Sequence, residues 1–438
     1  MQASRERGLI SGIHSDPRLR EKTATQKAKF VWPAIALALV FLCLTILASP
    51  HFVERVVSLD RRHGDMRPVV RAFQAFLGTL SLATLVRRKW INSQFGRVFP
   101  STRQFLVAAG MVLLSSGLGV TAIEGLARVL NLPFRAKWIP SENPLARFDS
   151  ELGWSYIPNQ TATQELGSDH RKVEMYFDDL GCRVRRPGDQ ADRSAPTALF
   201  VGDSYTFGHG VTYEESFVGR LAMRPDFPFE VVNLGAQAYG TDQSLLLLKR
   251  QFKKFNTKLV VYTFTSMQIG RNEVYDRRIQ YPDGRFLGTK PLFRVKADGS
   301  VYLAREALEF KDYSYSRVWA ALQILKLRWG PKPTVRLTRG LIQEMKNFAE
   351  SNGARFVVVD WYDDPSFPWG LNVDVIRLGA NAPVGWSDWI IPGDGHPDSR
   401  GHLYAAEYIG GRLQDVLTKA RTTSTPAYER TATEASSK

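Results

Sequence analysis

The sequence predicts an α/β fold: a three-layer α/β/α sandwich with a mainly parallel sheet, preceded by apolar helices. Two observations carry this prediction. In the second half of the 438-residue chain, short apolar, β-branched and aromatic runs alternate with longer segments of helical periodicity. Such alternation is typical of parallel strands that helices cover on both faces. Long, uncharged apolar runs occur instead in the first 130 residues, so the chain divides into a membrane region and a globular region.

The net charge of +15 is unevenly distributed along the chain. Residues 1–140 carry 20 Lys and Arg against 7 Asp and Glu, whereas the remainder carries 38 against 36. Basic residues that flank apolar runs are typical of membrane proteins. The excess therefore does not indicate nucleic-acid binding, and we expect no nucleic-acid partner. The two cysteines, Cys43 and Cys182, allow neither a disulfide framework nor a cysteine-rich metal site.

Three apolar segments are candidate transmembrane helices. Val31–Ser49 and Phe105–Ile123 are nineteen residues long without a charge, close to the ~20 residues that span a bilayer. The first could instead be a signal peptide, but 30 residues precede it and no A-x-A site follows, which favours an anchor. Ala72–Val86 is shorter, and an interfacial or short buried helix is the alternative there.

The distribution of Lys and Arg favours three spans over two. The tail before the first segment carries 7, and the following connections carry 4, 5 and 3. Because cytoplasmic loops are the more basic ones, the tail is predicted to be cytoplasmic and the chain after about residue 130 extracytoplasmic, or periplasmic. With two spans the large domain would be cytoplasmic. The predicted parts are a cytoplasmic tail (1–29), a membrane region (30–130), an irregular lead-in (131–196), a globular domain (197–420) and a disordered tail (421–438).

The globular domain is predicted to contain four strands and five helices. The strands are Ala198–Val201, Glu230–Asn233, Leu259–Phe264 and Arg355–Asp360. The helices are Glu214–Met223, Asp242–Phe255, Tyr315–Trp329, Thr334–Ser351 and Ser399–Lys419. A further strand, Val173–Phe177, is expected in the lead-in. Ile279–Ala304, with turns at Asp283-Gly284 and Asp298-Gly299, predicts a hairpin-like insertion that either shapes substrate access or decorates the surface.

Ser204 follows the first predicted strand in the segment Gly202-Asp203-Ser204. Ligands of parallel sheets bind at the carboxyl ends of strands, so this serine is well placed for chemistry. A serine nucleophile needs a histidine base and a carboxylate that orients the histidine. Asp394 and His396 supply that pair in one glycine-rich loop. The alternative is a solvated Asp-Gly turn beside a surface histidine.

Four blocks in order resemble the SGNH/GDSL hydrolases. The segment Gly202–Gly208 resembles the first block, and Asn233–Gly240 resembles the second. Gly270-Arg271-Asn272-Glu273 resembles the third, and Asp394-Gly395-His396 the last. The resemblance covers about residues 150 to 420 and implies an SGNH-hydrolase-like sandwich. The whole layout is similar to membrane-anchored bacterial members found with cell-surface polysaccharide systems.

The resemblance implies a role for each matched residue. Ser204 would be the nucleophile, His396 the base and Asp394 its orienting carboxylate. The oxyanion would accept hydrogen bonds from the backbone N–H of Ser204 and Ala238 and from the Asn272 side chain. Ala238 stands where the family has glycine, and a shifted register would make Gly235 or Gly240 the donor. Glu273 replaces the usual aspartate of the third block.

Several other polar and aromatic residues flank these blocks. His209 and His402 are expected to order a loop and a helix start, although His209 could also contact substrate. Asp203 is expected to order the nucleophile turn. The tryptophans near the last block would either stack on sugar rings or serve packing. They are Trp361, Trp369, Trp386 and Trp389.

The sequence thus predicts an extracytoplasmic serine esterase or O-acyltransferase that acts on acyl esters of a cell-surface glycan, with acetyl as the expected acyl group. The alternatives are a non-catalytic glycan-binding or assembly component with the same fold, and a cytoplasmic lipid hydrolase if Ala72–Val86 does not span. No cofactor and no metal is expected, because dinucleotide, P-loop and His/Cys cluster motifs are missing from the sequence. The expected partners are the membrane, a carbohydrate or acyl-ester substrate, and polysaccharide-assembly proteins.

Overall fold

A computed structural model describes residues 32–47, 67–98, 101–130, 132, 145–166, 170–281, 286–310, 316–329, 335–363 and 370–424. The predicted tail 1–29, residues 425–438 of the predicted tail 421–438, the Asp283-Gly284 turn and Trp369 lie outside these residues. Residues 421–424, predicted to be disordered, are the end of a helix. The chain divides into two compact units, Met1–Leu126 and Ala127–Lys438. This division lies close to the boundary at residue 130 that the hydropathy pattern predicts.

The described residues of the first unit are mainly helical. The helices are α1 (Trp32–Leu47), α2 (Arg67–Val86), α3 (Arg88–Val98) and α4 (Thr102–Val129). α1 and α2 contact each other through side chains that hydrogen-bond to backbone carbonyls. Ser81 Oγ donates to the Ala38 carbonyl at 2.9 Å, and Gln74 Nε2 donates to the Thr45 carbonyl at 3.2 Å. Polar side chains that bond across neighbouring helices are a feature of membrane helix pairs.

By length and composition, one helix in the described part can cross a membrane: Arg103–Val129, with a mean hydropathy of 2.0 over its best window. Its apolar side chains are exposed, including Leu113 and Val112. Ala34–Ile46 and Arg71–Val86 are apolar but shorter. Three spans therefore remain a prediction, and one membrane-compatible helix is the observation.

The second unit contains twelve strands and seven helices among its described residues. The strands are β1 (Ala146–Asp149), β2 (Gly153–Tyr156), β3 (Thr161–Leu166), β4 (Arg171–Phe177), β5 (Arg183–Val184), β6 (Pro196–Gly202), β7 (Glu230–Gly235), β8 (Asn256–Phe264), β9 (Leu292–Val295), β10 (Val301–Arg305), β11 (Arg355–Asp360) and β12 (Asp374–Arg377). The helices are α5 (Ser204–Phe207), α6 (Phe217–Ala222), α7 (Thr241–Gln251), α8 (Met267–Glu273), α9 (Arg317–Trp329), α10 (Val335–Ser351) and α11 (Ser399–Ser424).

Eight of these strands form one sheet in the order β12-β11-β8-β6-β7-β5-β4-β3. The first five in this order pair in parallel, and the last three pair antiparallel. The predicted strands correspond to β6, β7, β8 and β11, and β4 matches Val173–Phe177. β6 lies at the centre and leads directly to Ser204, so the nucleophile sits at the middle of the carboxyl edge.

Alternation along the strands creates the three layers. On β6, Leu199 and Val201 face the core formed with α7 and α10, and Ala198 and Phe200 face the core formed with α6 and α11. The stripe Leu341, Met345 and Phe348 of α10 packs against the first core, as its spacing predicts. Burial of both sheet faces explains why these strands read as continuous apolar runs.

The lead-in differs from the prediction. The predicted short strands are present, but the described residues are more regular than expected: β1 and β2 form a hairpin, and β3, β4 and β5 continue the central sheet. The short length of these strands, two residues in β5, hides them in a sequence rich in turn residues. The predicted insertion does form a hairpin, in which β9 and β10 pair across the Asp298-Gly299 turn. The helix predicted at Glu214–Met223 is shorter, and β12 is an additional strand.

Candidate active site

The nucleophile turn is built by Asp203, which caps a four-residue helix that begins with Ser204. The Asp203 carboxylate accepts from the Tyr205 N–H at 3.1 Å, and its other oxygen accepts from Arg271 Nη1 at 2.8 Å. Ser204 is 2% exposed, and α5 ends at Gly208 in the left-handed conformation. Asp203 therefore orders the turn, as the sequence predicts.

Two glycines let the turn lie against the neighbouring strand ends. A Cβ on Gly235 would be 2.2 Å from the Phe207 nitrogen, and a Cβ on Gly202 would be 2.3 Å from Thr206 Oγ1. The Asn233 side chain bridges the same gap, because its amide nitrogen donates to the Thr206 carbonyl at 3.1 Å. These contacts hold α5 rigidly at the end of β7.

Ser204, His396 and Asp394 form a continuous hydrogen-bonded chain. Ser204 Oγ lies 2.8 Å from His396 Nε2, and His396 Nδ1 lies 2.5 Å from Asp394 Oδ1. Asp394 also accepts from the His396 backbone N–H at 3.2 Å, which fixes the loop. With Nδ1–H donated to the carboxylate, Nε2 is left to accept the Ser204 proton. The structure thus brings together the three residues predicted for catalysis.

His209 makes a second contact with the same carboxylate. Its Nε2 lies 3.4 Å from Asp394 Oδ2, and its Nδ1 lies 2.8 Å from Gln237 Nε2. Because the Gln237 amide donates to Nδ1, the His209 proton resides on Nε2 and points to Asp394. Gln237 Nε2 also donates to Gln164 Oε1 at 3.0 Å. The sequence analysis assigned His209 to its loop or to a substrate contact, and nothing local in the chain predicts its approach to Asp394.

The surroundings of Asp394 and His209 determine the charge states of both side chains. Burial raises the pKa of Asp394, but hydrogen bonds from His209 and His396 outweigh it and hold that pKa below its ordinary value. Burial lowers the pKa of His209, against an opposing effect of Asp394. Asp394 is therefore anionic and His209 neutral near pH 7. An anionic Asp394 stabilises the imidazolium that forms when His396 takes a proton.

Two buried arginines that the sequence analysis missed hold the surrounding loops. Arg183 of β5 donates to the carbonyls of Phe207, Gly208 and Val211 at 2.6–2.7 Å. Burial lowers its pKa to about 10, so it remains charged near pH 7. Arg271 joins Asp203 to the Tyr239 carbonyl. An arginine pattern of this kind is invisible in sequence because the partners are backbone oxygens.

The second block offers one available donor for an oxyanion. From Gly235 to Gly240 the backbone N–H groups of five residues donate within the protein, including those of Gly235 to Asn233 Oδ1 and of Gly240 to Gln243 Oε1. Within the described part of the chain, the N–H of Ala238 donates to no group. Ala238 has φ +63, a left-handed conformation that favours glycine. Its N–H joins that of Ser204 as the candidate oxyanion donor pair.

The contacts of Asn272 do not support its predicted role. The side chain is fully buried, and its amide nitrogen donates to the hydroxyls of Thr241 and Thr338 at 2.9 and 2.8 Å. Its Oδ1 accepts from the Thr241 N–H at 2.7 Å. Both amide hydrogens are occupied, so none remains for a substrate oxygen. Asn272 instead joins the start of α7 to α10, which is a correction of the sequence-based prediction.

The donor atoms of His209, Asp394 and His396 lie within 4.8 Å of one another, so they form a potential metal-ligand group. Two ligand atoms on one tetrahedral zinc are about 3.4 Å apart at bond lengths of about 2.1 Å. The 2.5 Å separation of His396 Nδ1 and Asp394 Oδ1 is much shorter than that and is the distance of a short hydrogen bond. This arrangement suits proton transfer better than metal binding.

The tryptophans near the last block differ in exposure. Trp361 is fully buried and packs between Phe217 and Trp386. Trp386 and Trp389 are partly exposed, and Trp389 stacks under Arg400 at 5.9 Å. Packing accounts for Trp361. Trp386 also contacts Tyr362 and Tyr404, and stacking of Trp386 or Trp389 on a sugar ring stays a prediction.

Comparisons with known proteins give structural resemblances. No protein-family model and no curated protein matches the chain. A GDSL-like lipase from Bacteroides thetaiotaomicron is 10% identical, with 50% of this chain and 88% of that chain covered and a TM-score of 0.30. A member of the lipolytic protein G-D-S-L family from Veillonella parvula is 12% identical, with 49% and 96% covered and a TM-score of 0.26.

The chain resembles the SGNH/GDSL hydrolases. The four sequence blocks carry this resemblance. The site itself is defined by this chain's own hydrogen bonds, above all the bond between Ser204 and His396.

Proposed function

We propose that this chain is a membrane-anchored serine hydrolase of the SGNH/GDSL type, an esterase or O-acyltransferase that acts on acyl esters of a cell-surface glycan outside the cytoplasm. The observation that carries the proposal is the hydrogen-bonded chain Ser204–His396–Asp394 at the carboxyl edge of a parallel sheet. The resemblance of the sequence blocks supports the family, and the apolar helix Arg103–Val129 supports the anchor.

The geometry supports a two-step acyl transfer. Ser204 Oγ attacks the ester carbonyl carbon while His396 Nε2 takes the hydroxyl proton, and the carbonyl oxygen becomes an oxyanion beside the N–H groups of Ser204 and Ala238. The C–O bond to the alcohol breaks, and the alcohol leaves with the proton from His396. Water or a sugar hydroxyl then attacks the acyl-serine, again with its proton going to His396. The bond between the acyl carbon and Ser204 Oγ breaks, and His396 returns the proton to Ser204 Oγ. Water makes the reaction an esterase reaction, and a sugar hydroxyl makes it a transferase reaction.

Two substitutions test the catalytic part of the proposal. Ser204→Ala should abolish hydrolysis of p-nitrophenyl acetate by the purified full-length protein. Asp394→Asn should lower kcat by about 10³- to 10⁴-fold, because the neutral amide no longer orients and stabilises the imidazolium. Retained turnover in Ser204→Ala would remove this serine from the mechanism.

A non-catalytic component with the same fold is the competing function, favoured by the strained alanine at position 238. Labelling with a serine-reactive fluorophosphonate separates the two. Modification at Ser204 that is lost in His396→Ala supports an enzyme. Intact Ser204 after prolonged exposure supports a binding role.

The location outside the cytoplasm rests on the Lys and Arg counts and is tested separately. Alkaline phosphatase fused to the C-terminus should be active. A fluorescent protein that fluoresces only in the cytoplasm should be dark when it is fused at the same position. The opposite pair of results would make the domain cytoplasmic and would favour a lipid hydrolase.

A further inference from the structure

An apolar cavity of about 190 Å³ lies against the second block of the site. Residues from the β1–β2 hairpin, the second block and the insertion line it: Leu145, Ala146, Trp154, Tyr156, Gln237, Ala238, Phe286 and Leu287. Of these, Ala238 carries the backbone N–H that remains available for an oxyanion. One wall of the cavity is therefore the segment that would hold the carbonyl oxygen of a bound ester.

A second pair of contacts ties the cavity walls to the catalytic residues. Tyr156 stacks on Phe207, the last residue of the helix that Ser204 begins, with ring centroids 5.0 Å apart. Gln237 hydrogen-bonds His209, which contacts Asp394. Two lining residues thus connect the cavity to the site: Tyr156 contacts the nucleophile helix directly, and Gln237 contacts Asp394 through His209.

Few polar groups of the wall remain for a ligand. Trp154 Nε1 donates to the Gln237 carbonyl at 3.2 Å, and the Gln237 N–H donates to the Tyr156 hydroxyl at 2.9 Å. Most lining side chains are apolar, so a sugar ring buried here would leave most of its hydroxyls without partners, which is unfavourable. An aliphatic chain has no hydrogen bonds to lose on entering the cavity, and the burial of its methylene groups favours binding.

The volume sets the size of the occupant. A cavity of 190 Å³ is about six times the volume that one water occupies in the liquid. This has room for a short aliphatic chain of roughly four to six carbons, and it is below the roughly 300 Å³ at which pockets for larger ligands begin.

We propose that this cavity is the acyl-chain pocket of the enzyme and that the preferred substrate is an ester of a short- to medium-chain aliphatic acid, longer than acetyl. This inference rests on the proposed function, because it needs an acyl group on Ser204. It narrows that function by naming the transferred group.

A chain-length series tests the pocket. The full-length protein in detergent is assayed with p-nitrophenyl acetate, butyrate, hexanoate and octanoate. From acetate to hexanoate, kcat/KM should rise by about tenfold or more, since each buried methylene strengthens binding in the transition state. A flat series, or a steady fall from acetate, overturns the pocket and leaves the esterase function intact.

Two substitutions with opposite effects on the cavity volume test whether the cavity causes the chain-length preference. Ala146→Leu fills the cavity and should lower the hexanoate-to-acetate ratio of kcat/KM by about tenfold, whereas Leu287→Ala enlarges it and should move the optimum to octanoate. Ala307→Leu is the matched control, because Ala307 is as buried as Ala146, each 8% exposed, but does not line the cavity. Its ratio should equal that of the unmodified protein.

The outcomes separate the pocket from the activity. Unchanged ratios in both lining variants, with hydrolysis still dependent on Ser204, reject the pocket alone. If no ester of any length is hydrolysed and the fluorophosphonate does not label Ser204, the proposed function fails and the pocket assignment fails with it. Because Leu287→Ala removes atoms and Ala146→Leu adds them, misfolding of one variant leaves the other as the test.

Discussion

His209 and Asp394 are in contact, with Nε2 of the histidine 3.4 Å from Oδ2 of the carboxylate. The other carboxylate oxygen lies 2.5 Å from His396 Nδ1. Asp394 is therefore held between two imidazoles, one that receives the serine proton and one that stays neutral. The ring centroids of His209 and His396 are 4.2 Å apart. We infer that His209 is a positioning residue, which acts on catalysis through the carboxylate.

His209→Phe should lower kcat by about tenfold with little change in KM. The substitution removes the N–H that orients Asp394, and a hydrogen bond to a charged group is worth about 1.5–3 kcal/mol, with a long bond at the lower end. His209→Asn or His209→Gln retains an N–H and should recover part of the loss. Steady-state kinetics on p-nitrophenyl esters measures the effect. Equal activity of the Phe and Gln variants would show that the contact has no catalytic role.

Ala238→Gly should raise the free energy of unfolding by roughly 0.5–1 kcal/mol. An alanine at φ +63 costs about 1–2 kcal/mol in strain, and the larger freedom of glycine in the unfolded chain returns about 0.5–1 kcal/mol of that. Ala236→Gly is the control, since Ala236 is buried nearby and is not among the residues with positive φ. The control should lose stability in denaturant unfolding. Destabilisation of both variants would contradict the strain at position 238.

Asn272→Ala should reduce stability more than catalysis. It leaves the backbone N–H of Thr241 without its acceptor and the Thr338 hydroxyl without its donor, at a cost of about 2 kcal/mol or more. In the folded protein kcat should fall less than tenfold, whereas loss of an oxyanion donor costs about 10²–10³. The comparison requires kcat per labelled active site. A fall of 10² or more at unchanged stability would restore Asn272 to the oxyanion site.

Stability should decrease as the pH falls below about 6.5, and His402 should contribute to this loss. His402 is fully buried, its Nδ1 accepts from the Phe217 N–H at 3.3 Å, and burial, together with Arg183 and His396, lowers its pKa to about 3. Between about pH 6.5 and pH 3 the unfolded chain binds a proton that the folded chain does not. Each pH unit in this window therefore costs up to about 1.4 kcal/mol.

His402→Asn tests this pH dependence, because asparagine keeps an acceptor for Phe217 and does not titrate. The difference in free energy of unfolding between pH 7 and pH 4.5 should shrink by about 2 kcal/mol in the variant. His170→Asn is the control at a histidine whose side chain is 80% exposed, and it should keep the original slope. If the free energy of unfolding falls equally with pH in all three proteins, groups other than His402 cause the loss of stability.

The central strands and the triad were predictable because their signals are local. β6 is a run of apolar residues that ends in Gly-Asp-Ser, and Asp394 and His396 are two residues apart in one loop. The family resemblance predicts that this pair contacts Ser204, which lies 192 residues before His396 in the chain. The helices α10 and α11 follow from helical periodicity over many residues.

The failures have a common physical cause, which is that a residue's partners depend on approach in space. Asn272 occupies a family position, yet its amide is consumed by two threonines. His209 contacts Asp394 across 185 residues, and Gln237 contacts Gln164 across 73. The two-residue strand β5 is too short for any periodicity, although it carries the buried Arg183.

Arg183 has a consequence for how the protein can be divided. It lies before the predicted domain start at residue 197, yet its guanidinium holds three carbonyls of the loop that follows the nucleophile. A fragment that starts at residue 197 would lose this clamp, the neighbouring strands β3 and β4, and the Tyr156 and Trp154 walls of the cavity. The stretch predicted as an irregular lead-in is therefore part of the folded unit that holds the candidate site, and a fragment without it would lack these supports.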